Sequence, residues 1–193
     1  MPNTNNKRMT TYAHFVFLLI SSCLWFADAS TDTILPGQSI TDSDTIVSAG
    51  NIKLGFFSPG NGSSTINYYG GIWYKRISVQ TVVWATNQDY PLTDSSAALS
   101  ISADGNLAIV KGKFLYMLTN ISSNGNTSAT LLDSRNLVLR DRTFGELLWQ
   151  SFDYPSHTLL PGMKLGYSVI NRKTWSLISW KSKEDPGPGV FSL

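Results

Sequence analysis

Two histidines, one cysteine and thirteen acidic residues are the groups from which this 193-residue chain could assemble a catalytic centre. Cys23 and His14 both lie within the first 29 residues. Beyond them there is no thiol and only His157, so neither Cys–His nucleophilic chemistry nor a His/Cys zinc cluster can be built. His157 sits in Pro155-Ser-His-Thr158, where no G-x-S-x-G elbow accompanies it, and is expected to be a solvated loop histidine. Paired carboxylates of the glycosidase kind need no fixed spacing, and Asp89, Asp104, Asp133, Asp141 and Asp153 are available. Nearly all of them stand in turn sequences that account for them without chemistry. The G-x-G-x-x-G, V-A-I-K, H-R-D and D-F-G elements of protein kinases do not occur. The residues point to a binding protein rather than an enzyme, and they call for no cofactor or metal.

One covalent chemistry is well represented. Asn61-Gly-Ser, Asn120-Ile-Ser and Asn126-Thr-Ser each fit the N-x-[ST] acceptor pattern for N-glycosylation. Glycosylation requires secretion, and the N-terminus supplies the signal. Lys7 and Arg8 form a basic region, Phe15 to Phe26 an apolar run, and Ala27-Asp28-Ala29 a small-residue cleavage site. The apolar run is shorter than the roughly 20 residues that span a bilayer. Residues 1–29 are therefore expected to be a signal peptide, with an extracellular mature chain from Ser30. Of the three acceptors, Asn126 is expected to be the least readily used, because Asn120 is close by.

Without those residues the chain carries thirteen basic and twelve acidic side chains, a net charge of +1. Signs are interspersed, which excludes the basic stripe a nucleic-acid binder needs to displace counterions, as well as a polybasic membrane patch. No disulfide can form within the mature chain. Its stability must come from burial, with six Trp, nine Phe and eight Tyr over the whole chain as the main suppliers.

The elements that position these groups are strands. No stretch past the signal keeps an apolar period of 3.6, whereas short alternating runs bounded by Gly, Asn, Asp, Ser and Pro recur. Strands are expected at Thr45–Ser48, Ile52–Phe57, Asn67–Tyr74, Thr81–Thr86, Ala97–Ser102, Leu107–Val110, Phe114–Leu118, Thr127–Leu132, Leu137–Arg140 and Leu147–Ser151. Spacing of this kind marks an all-β sandwich or closed arrangement. Tyr68, Tyr69 and Tyr74 would either pack across neighbouring strands or form an exposed aromatic surface.

Two internal echoes refine the picture. Gly50-Asn-Ile-Lys-Leu54, Gly105-Asn-Leu-Ala-Ile109 and Arg135-Asn-Leu-Val-Leu139 resemble three copies of one passage from turn into strand. Trp84 to Pro91 echoes Trp149 to Pro155, and Trp73 offers a further strand tryptophan. Three sheets, each donating a large aromatic to a common axis, would explain both, since a single sheet cannot bury its apolar face alone.

Five longer motifs carry a family resemblance. Leu54-Gly-Phe-Phe-Ser-Pro-Gly60, Gly71-Ile-Trp-Tyr-Lys75, Val82-Val-Trp-Ala-Thr-Asn-Gln-Asp-Tyr-Pro-Leu92, Leu131-Leu-Asp-Ser-Arg-Asn-Leu-Val-Leu-Arg-Asp141 and Leu148-Trp-Gln-Ser-Phe-Asp-Tyr-Pro155 closely resemble the bulb-type lectin domain of plant G-type lectin S-receptor-like kinases and S-locus glycoproteins. Leu159 to Gly166 and Ser179 to Gly189 resemble the connector into the S-locus glycoprotein domain. The resemblance implies a β-prism II fold, three antiparallel four-stranded subdomains with pseudo-threefold symmetry. It implies a lectin domain over 30–155 and, over 156–193, the connector and a truncated start of the next domain. Cys-rich modules, a membrane helix and a kinase usually follow in such receptors.

The resemblance also names the sites. Mannose-binding relatives carry Q-x-D-x-N-x-V-x-Y in each subdomain, where alternate strand residues share one face and meet sugar hydroxyls together. Here Ser102-x-Asp104-x-Asn106-x-Ala108-x-Val110 keeps the Asp and the Asn, Leu132-x-Ser134-x-Asn136-x-Val138-x-Arg140 keeps the Asn and the Val, and Val47-x-Ala49-x-Asn51-x-Lys53-x-Gly55 keeps the Asn alone. Asp104, Asn106, Asn136 and Val138 are thus the carbohydrate-binding candidates. Each lost hydrogen bond removes about 0.5–1.5 kcal/mol, so little mannose binding is expected. Asn and Asp at these places are also ordinary turn formers, and Asp104-Gly105 is a hairpin-turn sequence. The partners implied are a glycan or an extracellular protein ligand, with a homodimer or an S-receptor-like partner also consistent with exposed prism edges. Two further functions stay open: an active mannose lectin, and the ectodomain piece of a receptor serine/threonine kinase.

Overall fold

The computed structural model describes residues 32–60 and 66–193. The signal peptide expected over 1–29 and the acceptor Asn61 lie outside the described residues.

Sixteen strands make up the described chain. They are β1 (Thr33–Ile34), β2 (Ser39–Thr41), β3 (Thr45–Val47), β4 (Ile52–Phe57), β5 (Tyr69–Tyr74), β6 (Val82–Ala85), β7 (Ala98–Ile101) and β8 (Leu107–Lys111). Then follow β9 (Phe114–Met117), β10 (Thr127–Leu131), β11 (Leu137–Asp141), β12 (Leu147–Gln150), β13 (Gly166–Ser168), β14 (Lys173–Trp175), β15 (Ile178–Ser182) and β16 (Asp185–Ser192). Every strand expected from the sequence is present, within two residues at each end.

Three four-stranded antiparallel sheets form a β-prism: β3-β4-β5-β6, β2-β7-β8-β9 and β1-β10-β11-β12. Each takes three strands from a local meander. The fourth comes from the N-terminal ribbon 33–47, which passes from the third sheet to the second to the first. Thr33 lies opposite Thr130, Ile40 opposite Leu99 and Ile46 opposite Leu54. β1 and β2 are two and three residues long, too short to show alternation, and neither is among the strands expected from the sequence.

The inner faces of all three sheets meet in one core. Ile46, Ile52, Leu54 and Ile72 come from the first sheet, Leu99, Ile101, Leu107 and Ile109 from the second, and Leu131, Leu137 and Leu139 from the third. Trp84 and Trp149 join them, their rings edge to face with centroids 6.4 Å apart. Trp73 does not reach this axis, contrary to the sequence expectation. It follows Ile72, and neighbouring strand residues face opposite ways. Ile72 takes the inner face, so Trp73 joins a second cluster on the outer face with Phe57, Tyr69, Val82 and Ala85, closed by Trp180 of β15.

That second cluster makes the first sheet different. β4, β5 and β6 are buried on both faces and, apart from the half-buried Lys53, carry no charged side chain, whereas β9 of the second sheet is largely exposed. Phe57 stacks on Trp180 with ring centroids 6.2 Å apart and planes 14° apart. Tyr69 is buried, and Tyr68 and Tyr74 pack at the edge of the main core, so the three tyrosines do not form an aromatic surface.

Candidate carbohydrate-binding surface

One loop type closes the inner hairpin of all three sheets. Ser48 N–H donates to the Ile52 carbonyl at 3.0 Å, Ser102 N–H to that of Asn106 at 2.8 Å and Leu132 N–H to that of Asn136 at 2.9 Å. The residue before each acceptor has a left-handed backbone: Asn51 (φ 60°), Gly105 (φ 82°) and Arg135 (φ 74°). A three-residue hairpin loop requires this conformation at its last position. The three sequence echoes are therefore not equivalent. Asn51 supplies the left-handed turn residue, whereas Asn106 and Asn136 stand one place later and do other work.

Asn106 is 3% exposed, and both donors and both acceptor positions of its amide are filled. Oδ1 accepts from Thr119 Oγ1 at 2.9 Å and from Ile121 N–H at 2.8 Å. Nδ2 donates to Asp104 Oδ2 and to the Ile121 carbonyl, both at 3.1 Å. Thr119 in turn receives the N–H of Leu107 at 2.9 Å. The third sheet repeats the device. Asn136 Oδ1 accepts from Ser151 Oγ at 3.2 Å and Phe152 N–H at 3.3 Å, Nδ2 donates to Gln150 Oε1 at 2.9 Å, and Ser151 Oγ receives the N–H of Leu137 at 2.9 Å. Both asparagines clamp the segment that follows the outer strand of their meander.

Of the other two candidates, Val138 is 1% exposed, opposite Thr130 and Gln150 in the third sheet. Asp104 is exposed on the second hairpin loop, where the Ser102 hydroxyl, the Asn106 N–H and the Asn106 amide hold its carboxyl below the usual carboxylate range. Asp104 and Asn106 come from the second sheet, Asn136 and Val138 from the third, so the four form two separate hairpin sites. Only Asp104 offers a polar group to solvent.

The two N-x-[ST] asparagines among the described residues differ in exposure. Asn120 is exposed. Asn126 is half-buried, with Oδ1 accepting from Arg142 and Nδ2 donating to Thr143 Oγ1, each at 3.1 Å.

His157 departs from the solvated state expected of it. Its Nε2 lies 3.1 Å from the Val82 carbonyl and its Nδ1 3.2 Å from Ser156 Oγ, with the ring 4.5 Å from Trp180. Burial pushes its pKa down, against a smaller upward pull from the Val82 bond. His157, Phe57, Val82, Trp180, Lys183 and Glu184 line an open groove between the first sheet and the β15–β16 hairpin. Sequence reasoning missed this groove because Trp180 lies in a stretch whose resemblance marked it as connector.

A family model described as D-mannose binding lectin matches residues 81–181. The G-type lectin S-receptor-like serine/threonine-protein kinase CES101 of Arabidopsis thaliana is 41% identical over 189 residues, 95% of this chain and 21% of that protein. RKS1, another such kinase of Arabidopsis thaliana, is 41% identical over 186 residues, 93% of this chain and 21% of that protein. This chain thus spans about a fifth of the length of the curated relatives it matches. A solved structure described as monomeric monocot mannose-binding lectins from Gastrodia elata has a TM-score of 0.47 at 20% identity, covering 63% of this chain and 96% of that one.

Proposed function

Because the chain belongs to the D-mannose binding lectin family, we propose that it is an extracellular recognition module for a glycan or a protein ligand whose inherited mannose sites have been turned to structural use. The observation that carries this is the Asn106 amide, whose four hydrogen-bonding positions are all occupied within the chain. A sugar hydroxyl could bond it only by displacing one of these partners, and a buried group left unpaired costs about 1–3 kcal/mol. Residues 1–29 are the secretion signal, 30–155 the lectin domain and 156–193 the connector in this proposal. As its relatives are named as kinases, we place the chain as the recognition portion of a receptor-like protein, which full-length transcript sequencing would test.

A working mannose lectin is the second reading, and the exposed Asp104 carboxylate favours it as a ready acceptor for sugar hydroxyls. Titration calorimetry with methyl α-mannoside, beside a glycan array, separates the two. No saturable mannoside binding at millimolar concentration is expected. Saturable binding that Asp104→Ala abolishes would establish the mannose lectin instead.

A further inference from the structure

The place beside the shared core where the sequence called for a third tryptophan is held by Tyr116. Trp84 lies opposite Ile72, Trp149 opposite Leu139 and Tyr116 opposite Ile109, so the three are equivalent residues of the last strand in each meander, β6, β12 and β9. Trp84 and Trp149 belong to the core, and Tyr116 packs against it half-buried. A phenol ring covers less than an indole, and a cavity of about 180 Å³ opens beside it, walled by Trp84, Tyr116, Leu118, Trp149 and Tyr154.

Most polar groups around this cavity are already engaged. The Asn87 amide accepts from Gly70 N–H and donates to the Tyr68 and Tyr90 carbonyls, Gln88 donates to the Pro186 carbonyl, and Ser156 Oγ accepts from Ala85 N–H. Asp89 is the exception. It is exposed, it is the one charged residue among those lining the cavity, and it makes no ion pair among the described residues. A sugar ring needs several free donors and acceptors and finds few here. A cation needs aromatic faces and a negative charge, and finds both. The chain already uses one of these rings in that way: Tyr154 stacks on Trp149 with centroids 5.4 Å apart, and Lys173 Nζ lies over its ring, 4.4 Å from the centroid.

Size selects the source of the cation. Sites for whole small molecules run to about 300–1,000 Å³, so this cavity holds one side chain rather than a complete ligand. Arginine suits it better than lysine, because a planar guanidinium lies against an aromatic face and can fork onto a carboxylate. We propose that the cavity receives an arginine side chain of an extracellular protein partner, held among Trp84, Tyr116 and Trp149 with its guanidinium toward Asp89. Arginine is among the residues that most often anchor protein interfaces in such pockets. The proposal rests on reading the chain as a recognition module, and it selects the protein ligand over the glycan.

Heteronuclear NMR of the secreted chain, titrated with Nα-acetyl-arginine methylamide, reads the indole N–H signals of Trp84 and Trp149 directly. Both should move saturably at millimolar concentration. Nα-acetyl-citrulline methylamide, which keeps the shape without the charge, should move them little. Asp89→Asn should weaken arginine binding roughly two- to fivefold, as loss of an exposed ion pair does. Tyr116→Trp, which fills the cavity with a third indole, should abolish it. Indole signals that arginine leaves in place, equal shifts with citrulline, an affinity that Asp89→Asn does not change, or binding that survives Tyr116→Trp would overturn the proposal. Calorimetry with methyl α-mannoside tests the recognition reading separately: saturable mannoside binding counts against that reading, and unmoved indole signals count against the arginine site.

Discussion

Thr119 Oγ1 donates to Asn106 Oδ1 at 2.9 Å while accepting the N–H of Leu107, so one hydroxyl ties the end of a hairpin loop to the chain that leaves β9. Ser151 holds Asn136 and Leu137 in the same way in the third sheet. Removing Asn106 strands the Thr119 hydroxyl, the Ile121 N–H and the Ile121 carbonyl together. Asn106→Ala should therefore cost about 2–4 kcal/mol, and Thr119→Val, which strands fewer groups, about 1–3 kcal/mol. Chemical denaturation measures both. The double variant should lose less than the sum, since the two side chains share a bond.

Gly71 of β5 should tolerate no side chain. A Cβ there would meet Phe57 Cε1 at 2.6 Å and the Trp84 carbonyl oxygen at 2.7 Å. The phenyl ring is held by Trp180 and the carbonyl belongs to β6, so neither can yield cheaply. Gly71→Ala should destabilise the fold by about 1–3 kcal/mol through overpacking, against the small gain an alanine brings to an unstrained strand position. Thermal unfolding of this single variant reads the loss.

The strands of the three meanders were legible because each is a short run set between turn residues, alternating in β7 and β10 and continuously apolar in β6 and β9. β1 and β2 were not, since Thr33–Ile34 and Ser39–Thr41 are only two and three residues long. In Ile72-Trp73 the sequence placed two apolar residues side by side and could not say which faced the core. The outcome depended on Trp180, more than a hundred residues away, covering the outer face. The sugar candidates show a similar limit. Spacing found Asn106 and Asn136 as a repeated pair, but their partners Thr119 and Ser151 lie in the segments just beyond β9 and β12, more than ten residues away, and have no local signature. The left-handed role of Asn51 was hidden because asparagine serves both as a turn former and as a clamp.

Glycan occupancy should separate the two described acceptors. Asn120 is exposed, whereas the Asn126 side chain is engaged with Arg142 and Thr143 at the start of β10. Glycosylation precedes complete folding, so the contrast will not be absolute. Mass spectrometry of glycopeptides from the secreted chain should find Asn120 fully modified and Asn126 modified in a smaller fraction. Asn120→Gln should remove most of the mass shift contributed by this pair.

Trp180 joins the C-terminal hairpin to the first sheet through Phe57 on one side and His157 on the other. Trp180→Ala should cost about 2–3 kcal/mol, below the figure for a fully buried tryptophan because this one is partly exposed. Limited proteolysis should then cut within residues 156–193 ahead of the three-sheet body. Equal resistance of the two regions would show that the hairpin is held by other contacts.

His157 should make the same junction sensitive to acid. Burial lowers its folded-state pKa below the ordinary 6.5, with the Val82 bond opposing the shift only in part. The unfolded chain therefore takes up a proton first. As pH falls below about 6.5 the unfolded state gains the stabilisation of a charged, hydrated imidazole, and the fold gains it only at lower pH. The stability that neutral His157 contributes is thus complete above the unfolded value and is lost between that value and the folded one. Lys183 and Glu184, which line the same groove, carry opposite charges and leave the local balance near neutral. Melting temperature should fall between about pH 7 and pH 5, and His157→Gln, which keeps a donor for the Val82 carbonyl without a titrating ring, should flatten the slope over that interval. A wild-type slope unchanged by the substitution would assign the acid sensitivity to carboxylates.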